Sequence, residues 1–186
     1  SRLYVKQVLN RVQGKVPVVV GASAPGFAPM SELTKSVMDM GADGVMVAPP
    51  ATVRTDDQIC SYFDMVNETL GPDVPWVLQD HPVSTTVQMS TAVVLKILKN
   101  SPRCVMLKHE DWPGLGKLSA ICHAMEKGEL KKTSILTGNG GGKIATLLDK
   151  DDIHLCAPST RTARIQETHL VLLHALCDGV DHLLLD

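Results

Sequence analysis

"CVMLKHED", residues 104–111, places four apolar residues directly before a lysine, a histidine and two acids. The apolar run predicts a buried strand, and Lys108 lies where that strand should end. A lysine amine at such a position must reach water, pair with a carboxylate such as Glu110, or lose its charge and act as a nucleophile. The surroundings of this strand therefore decide both the fold and the chemistry open to Lys108.

Similar apolar runs recur along the chain and are continuous rather than alternating, which is typical of strands buried on both faces. The runs begin at Val16, Gly44, Pro75, Cys104, Ser134 and Ile153. Helix-like segments with apolar residues three and four apart lie between them, among them residues 31–41, 56–71 and 90–100. The first five runs are about 30 residues apart, the length of a βαβ unit. The pattern predicts an α/β fold with a parallel sheet of about six strands and right-handed crossovers.

The spacing changes at Gly140–Gly142, where a glycine triplet precedes a short helix-like segment and the last apolar run. A glycine triplet is an ordinary turn in most proteins, and the alternative is a junction between two ancestries. The longest predicted helix follows, from Thr160 to about Leu184.

Composition excludes several classes of function. The 186 residues are 44% apolar with a formal net charge of −2, which predicts one soluble domain, residues 1–186, without a basic patch for nucleic acid or anionic lipid. No apolar run approaches the length of a membrane span. The five cysteines are odd in number and never spaced as C-x-x-C, which favours a reducing cytoplasm. We expect no metal, no cofactor, no nucleic acid partner and no membrane partner.

Residues 3 to about 140 resemble the dihydrodipicolinate synthase and N-acetylneuraminate lyase family of class I aldolases. The resemblance rests on "VPVVVGASAPGF", "MGADGVMVAPP", "VPWVLQDHP", "CVMLKHED" and "ILTGNGG". It implies strands three to seven of an eight-stranded (β/α) TIM-type barrel, so strands one, two and eight have no counterpart. Residues 1–140 are therefore interpreted as a partial barrel.

Residues 141–186, including "RIQETH" at 164–169, resemble the end of a sugar isomerase (SIS) domain of the phosphoheptose isomerase group. SIS domains are flavodoxin-like, and this segment would supply a helix-strand-helix element that completes the incomplete barrel. A doubly wound flavodoxin-like sheet is the alternative fold. The two resemblances together suggest an engineered chimera, with a natural diverged relative as the alternative.

The aldolase resemblance assigns roles to three residues. Lys108 matches the lysine that forms a Schiff base with 2-oxo acids such as pyruvate. Gln79 stands where the synthase branch carries a catalytic tyrosine, and Gly138 matches a glycine at the mouth of the pocket. The family's carboxylate-binding loop belongs to the missing second strand, and either Asp80 or His81 is a candidate replacement proton shuttle.

The isomerase resemblance assigns His174 as the proton-transfer histidine and Gln166 as a polar or metal-contacting group. They are eight residues apart, so both lie on one face of the predicted helix. The rest of the SIS site is absent. The glycines of "TGNGGGKI" predict adventitious binding of phosphate or sulfate by backbone N–H groups, but Lys143 is followed by Ile144, which breaks the P-loop pattern.

The leading interpretation is an engineered chimeric protein with no selected activity. The alternatives are a residual Schiff-base lyase acting through Lys108 and a SIS-type module that binds sugar phosphates or a protein. An incomplete barrel leaves two open parallel edges, and the helix from Thr160 to Leu184 carries a broad apolar surface. We therefore predict that the chain pairs with itself as a homodimer.

Overall fold

A computed structural model describes residues 2–137 of the protein. The chain divides into two units, residues 1–137 and 138–186, and the described residues belong to the first. The strands are β1 Val19–Gly21, β2 Gly44–Val47, β3 Trp76–Asp80, β4 Cys104–His109 and β5 Ser134–Thr137. The helices are α1 Arg2–Val12, α2 Phe27–Asp39, α3 Asp56–Leu70, α4 Pro82–Thr85, α5 Thr91–Asn100 and α6 Leu115–Glu126.

The described strands form one parallel sheet in the order β1-β2-β3-β4-β5. Sequential parallel order requires a crossover after each strand, and a helix lies in every connection. The α/β class and five of the predicted strands are confirmed. The sixth predicted strand, at Ile153, and the predicted helix from Thr160 lie outside the described residues.

Helix α3 shows how local sequence sets the element bounds. The backbone N–H of Gln58 donates to Oγ1 of Thr55 at 3.3 Å, and the backbone N–H of Thr55 donates to Oε1 of Gln58 at 3.2 Å. This reciprocal capping box satisfies N–H groups that have no partner inside the helix. The helix ends before Gly71, whose φ of +79° favours glycine.

One face of the sheet packs against the helices and forms the core. Trp76 of β3 stacks on Phe63 of α3 with ring centroids 5.7 Å apart and an interplanar angle of 4°. Side chains alternate along a strand, so Leu78 and Asp80 share this helix face while Gln79 points to the opposite face. In the parallel register, Gln79 pairs with Lys108 and Asp80 pairs with His109. Paired residues lie on the same face, so Lys108 shares the face of Gln79, and His109 shares the face of Asp80.

The prediction that the strands are buried on both faces is only partly correct. In the inner strand β3, the consecutive residues Val77 and Leu78 point to opposite faces and are 3% and 0% exposed. In the outer strands, however, Val19 of β1 is 44% exposed and Leu136 of β5 is 49% exposed. An apolar run therefore identified each strand correctly but did not reveal whether both of its faces are covered.

Candidate active site

Lys108 and Gln79 lie side by side on the opposite face, near the carboxyl ends of β4 and β3. Nζ of Lys108 is 3.0 Å from Oε2 of Glu110, and the two side chains are 26% and 13% exposed. Nε2 of Gln79 donates to the same carboxylate oxygen at 3.3 Å. Of the three alternatives for this lysine, namely exposure to water, an ion pair or loss of its charge, the structure shows the ion pair. Part of the Lys108 side chain also remains accessible to solvent.

His81 lies at the rim of this group. Its Nδ1 is 3.9 Å from Oε2 of Glu110 and 2.8 Å from Oγ of Ser84. It is therefore close to the carboxylate that pairs with Lys108, and its role as a proton shuttle stays a prediction.

Asp80 is placed differently, and the suggestion that it serves as a shuttle for Lys108 is wrong. It is fully buried on the helix face, where its Oδ2 lies 2.9 Å from Nδ1 of His109 and 2.8 Å from Nζ of Lys117. Strand alternation places Asp80 and Lys108 on opposite faces of the sheet, so proton transfer between them would have to cross the strand.

Sequence reasoning missed the cluster around Asp80. Nζ of Lys117 also lies 2.8 Å from Oδ2 of Asp111, and Nε2 of Gln88 donates to that same oxygen at 2.6 Å. Burial raises the pKa of Asp111, but hydrogen bonds from Lys117 and Gln88 outweigh it and hold that pKa below its usual range. We call His109, Asp80, Lys117, Asp111 and Gln88 the Asp80 network. Alternation along "KHED" is the signal that divides Lys108 and Glu110 from His109 and Asp111.

The other predicted site residues cannot be placed relative to Lys108. Gly138, Gln166 and His174 lie outside the described residues, as does most of the predicted phosphate loop. A surface cavity of about 520 Å³, lined in part by Phe27 and Tyr62, includes neither Lys108 nor Glu110. Within residues 2–137, no cluster of three His, Cys, Asp or Glu side chains is arranged to hold a metal ion. No helix among these residues has the length and apolarity needed to cross a membrane.

The arrangement supports amine chemistry coupled to a carboxylate. Lys108 supplies a primary amine at the carboxyl end of a parallel strand, where catalytic groups of (β/α) barrels lie. Glu110 is within hydrogen-bond distance and can accept and return a proton. Gln79 orients Glu110 through its amide N–H, but an amide N–H is too weak an acid to transfer its proton.

Part of the chain is similar to phosphoheptose isomerases. The phosphoheptose isomerase of Aromatoleum aromaticum is 57% identical over 68 residues, which is 37% of this chain and 33% of that protein. The phosphoheptose isomerase of Dechloromonas aromatica is 66% identical over 50 residues, 27% of this chain and 26% of that protein. The chain thus spans about a third or less of the length of these curated relatives.

Solved dihydrodipicolinate synthases share the fold. The enzyme from Rhodopseudomonas palustris is 38% identical with a TM-score of 0.73, and the match covers 100% of this chain and 62% of that chain. The enzyme from Thermotoga maritima has a TM-score of 0.67 at 22% identity, covering 78% of this chain and 48% of that chain, which shows the fold alone.

Both resemblances drawn from the sequence are confirmed, because the chain joins a part similar to phosphoheptose isomerases to a longer aldolase part. The profile of the dihydrodipicolinate synthetase family matches residues 3–138. Through these residues, the chain belongs to the dihydrodipicolinate synthetase family.

Proposed function

We propose that the chain is an engineered recombination of two families without a selected activity, and that Lys108 retains one step of aldolase chemistry. That step is imine formation with a small 2-oxo acid such as pyruvate. The observation that carries it is the partly accessible Lys108 amine 3.0 Å from Glu110, at the carboxyl end of β4. The chain spans 62% of the length of the Rhodopseudomonas palustris synthase. For this reason we propose only the imine step for this chain, and not the complete reaction of that relative.

Lys108 and Glu110 together can make every proton transfer that imine formation requires. The Lys108 ammonium gives one proton to Glu110, and the neutral amine attacks C2 of pyruvate as the carbonyl electron pair moves onto oxygen. A second proton passes from nitrogen to that oxygen to give the carbinolamine. Glu110 then returns its proton to the hydroxyl, water leaves, and the nitrogen lone pair forms the protonated imine.

Two features support slow chemistry that stops at the imine. Nζ of Lys108 is engaged as a donor to Glu110, whereas attack requires its lone pair, so the ion pair must first open. Gln79 stands where the synthase branch carries a tyrosine, and an amide cannot serve as an acid for later steps. We expect an imine at Lys108 that forms slowly and does not react further.

Borohydride trapping with pyruvate tests the proposal. We expect a minor, slowly formed adduct that peptide mass spectrometry places on Lys108 and that is absent from Lys108→Arg. Lys131→Arg is the matched control. Burial lowers the pKa of Lys131, so this amine is a plausible competitor, and its Nζ donates to the carbonyls of Ser101 and Pro102 away from the site.

Three outcomes would contradict the proposal. The absence of any adduct on Lys108 would exclude the imine step. Stoichiometric trapping within minutes, accompanied by continuous cleavage or condensation of substrate, would exclude the absence of a selected activity. A trapped adduct that persists in Lys108→Arg but disappears in Lys131→Arg would place the chemistry at the wrong lysine.

Two expectations concern the other segment and the assembly. A SIS-type binding module would depend on Gln166 and His174, outside the described residues, so sugar-phosphate, phosphate or sulfate binding stays a prediction. Homodimer formation also stays a prediction, and light scattering of the unmodified chain at tens of micromolar checks it.

A further inference from the structure

The Asp80 network ties three elements together behind the candidate site. Asp80 of β3 bonds to His109 of β4 at 2.9 Å and to Lys117 of α6 at 2.8 Å. Lys117 continues to Asp111 at 2.8 Å, and Gln88 holds Asp111 from the segment before α5 at 2.6 Å. Two buried carboxylates therefore share one ammonium, and displacing that ammonium would disturb both.

The network holds the residues that flank the Lys108–Glu110 pair. His109 and Asp111 are anchored on the helix face, whereas Lys108 and Glu110 meet on the opposite face. The backbone N–H of Glu110 also donates to the carbonyl of Asp80 at 2.8 Å. The backbone from 108 to 111 is thus held through the side chains of His109 and Asp111. This fixes the positions from which the side chains of Lys108 and Glu110 meet.

His109 is held on both sides of its ring. Nδ1 bonds to Asp80, and Nε2 is buried without a hydrogen-bond partner in the described structure. That nitrogen faces Gly114, where an added Cβ would overlap it. The Nδ1–H tautomer fits this arrangement, because a proton on Nε2 would be a buried donor without an acceptor. The ring therefore has little room to move without moving β4.

We propose that Asp80 and Lys117 are positioning residues for Lys108, acting through His109 and Asp111 to hold the amine beside Glu110. The inference rests on the proposed imine chemistry. Loss of the clamp lets the 108–111 backbone shift, and small displacements of a reacting group lower rates steeply. The amine should then be more accessible to small reagents but less well placed for the step shared with Glu110.

The test compares Asp80→Asn with the control Lys99→Met in the full chain, using two readouts. The first is the rate of borohydride trapping at saturating pyruvate, which should fall at least about tenfold in Asp80→Asn and stay unchanged in the control. The second is reductive methylation by formaldehyde, measured as the ratio of modification at Lys108 to that at Lys131. This ratio should rise in Asp80→Asn, whereas general loosening of the fold would raise modification of both lysines.

A second variant covers the case in which Asp80→Asn does not fold. Gln88 is exposed, so Gln88→Met should fold while weakening the hold on Asp111. It should show slower trapping and a higher methylation ratio, each to a smaller extent than Asp80→Asn.

The two proposals fail separately. If the unmodified chain forms no pyruvate adduct, the proposed function is wrong, and the methylation ratio alone decides the positioning role. Wild-type trapping rates and an unchanged ratio in the folded variants would overturn that role, even where the imine chemistry itself is observed.

Discussion

Replacing Lys117 with Met should be among the most destabilising single changes in the described unit. The ammonium lies 2.8 Å from Oδ2 of both Asp80 and Asp111, and the exposed fractions of the lysine and the two acids are 7%, 0% and 6%. Met keeps most of the side-chain length, so the main loss is the charge. Breaking a buried ion pair in this way costs about 3–5 kcal/mol, because the buried carboxylates lose the positive charge that neutralises them.

Urea unfolding at pH 7, followed by far-ultraviolet circular dichroism, measures this loss. Lys99→Met is the matched control, because Nζ of Lys99 is 3.9 Å from Oε2 of Glu129 and these side chains are 45% and 55% exposed. Such a surface pair contributes less than about 1 kcal/mol. We therefore expect Lys117→Met to lower the free energy of unfolding several times more than Lys99→Met.

A loss in Lys117→Met no larger than that of the control would refute this reasoning. A double-mutant cycle gives a second check, because Asp111→Asn removes a carboxylate that Lys117 neutralises. Lys117→Met combined with Asp111→Asn should lose less than the sum of the two single changes. Strict additivity would show that these groups do not stabilise each other.

Gly114→Ala should destabilise the fold by about 1–3 kcal/mol in a thermal melt, because the new methyl group overlaps His109. Gly116→Ala is the control, because its new methyl group meets no atom within 4 Å. Thr55→Ala removes the capping box of α3 and should cost about 0.5–2 kcal/mol by urea unfolding, and a loss near zero would count against the cap. The lowered pKa of Asp111 stabilises the fold above the ordinary carboxyl pKa of about 4 and stops doing so as the pH falls through the folded-state pKa. The stability difference between the wild type and Asp111→Asn should therefore be largest near neutral pH and shrink in acid, and a difference that grew on acidification would reverse this sign.

Local sequence was sufficient for the five described strands, their order and three of the helices between them, α2, α3 and α5. Each described strand coincides with a continuous apolar run, and the cap at Thr55 and the glycine at 71 bound α3 as local chemistry dictates. The regular spacing of the runs implied a parallel sheet, because a parallel pair needs a crossover of about this length. The resemblance to the aldolases identified Lys108, which strand periodicity alone left undecided between nucleophile and ion pair.

Tertiary structure decided what each polar side chain contacts. Asp80 and Lys117 are 37 residues apart, and only the pairing of β3 with β4 and the return of α6 over the sheet bring them to 2.8 Å. The same pairing places Gln79 against Lys108 and separates both from Asp80. Burial of Val19 and Leu136 likewise depends on what covers the second face of the sheet. These outcomes follow from long-range pairing and packing, whereas a run of residues encodes only its own periodicity and local hydrogen bonds.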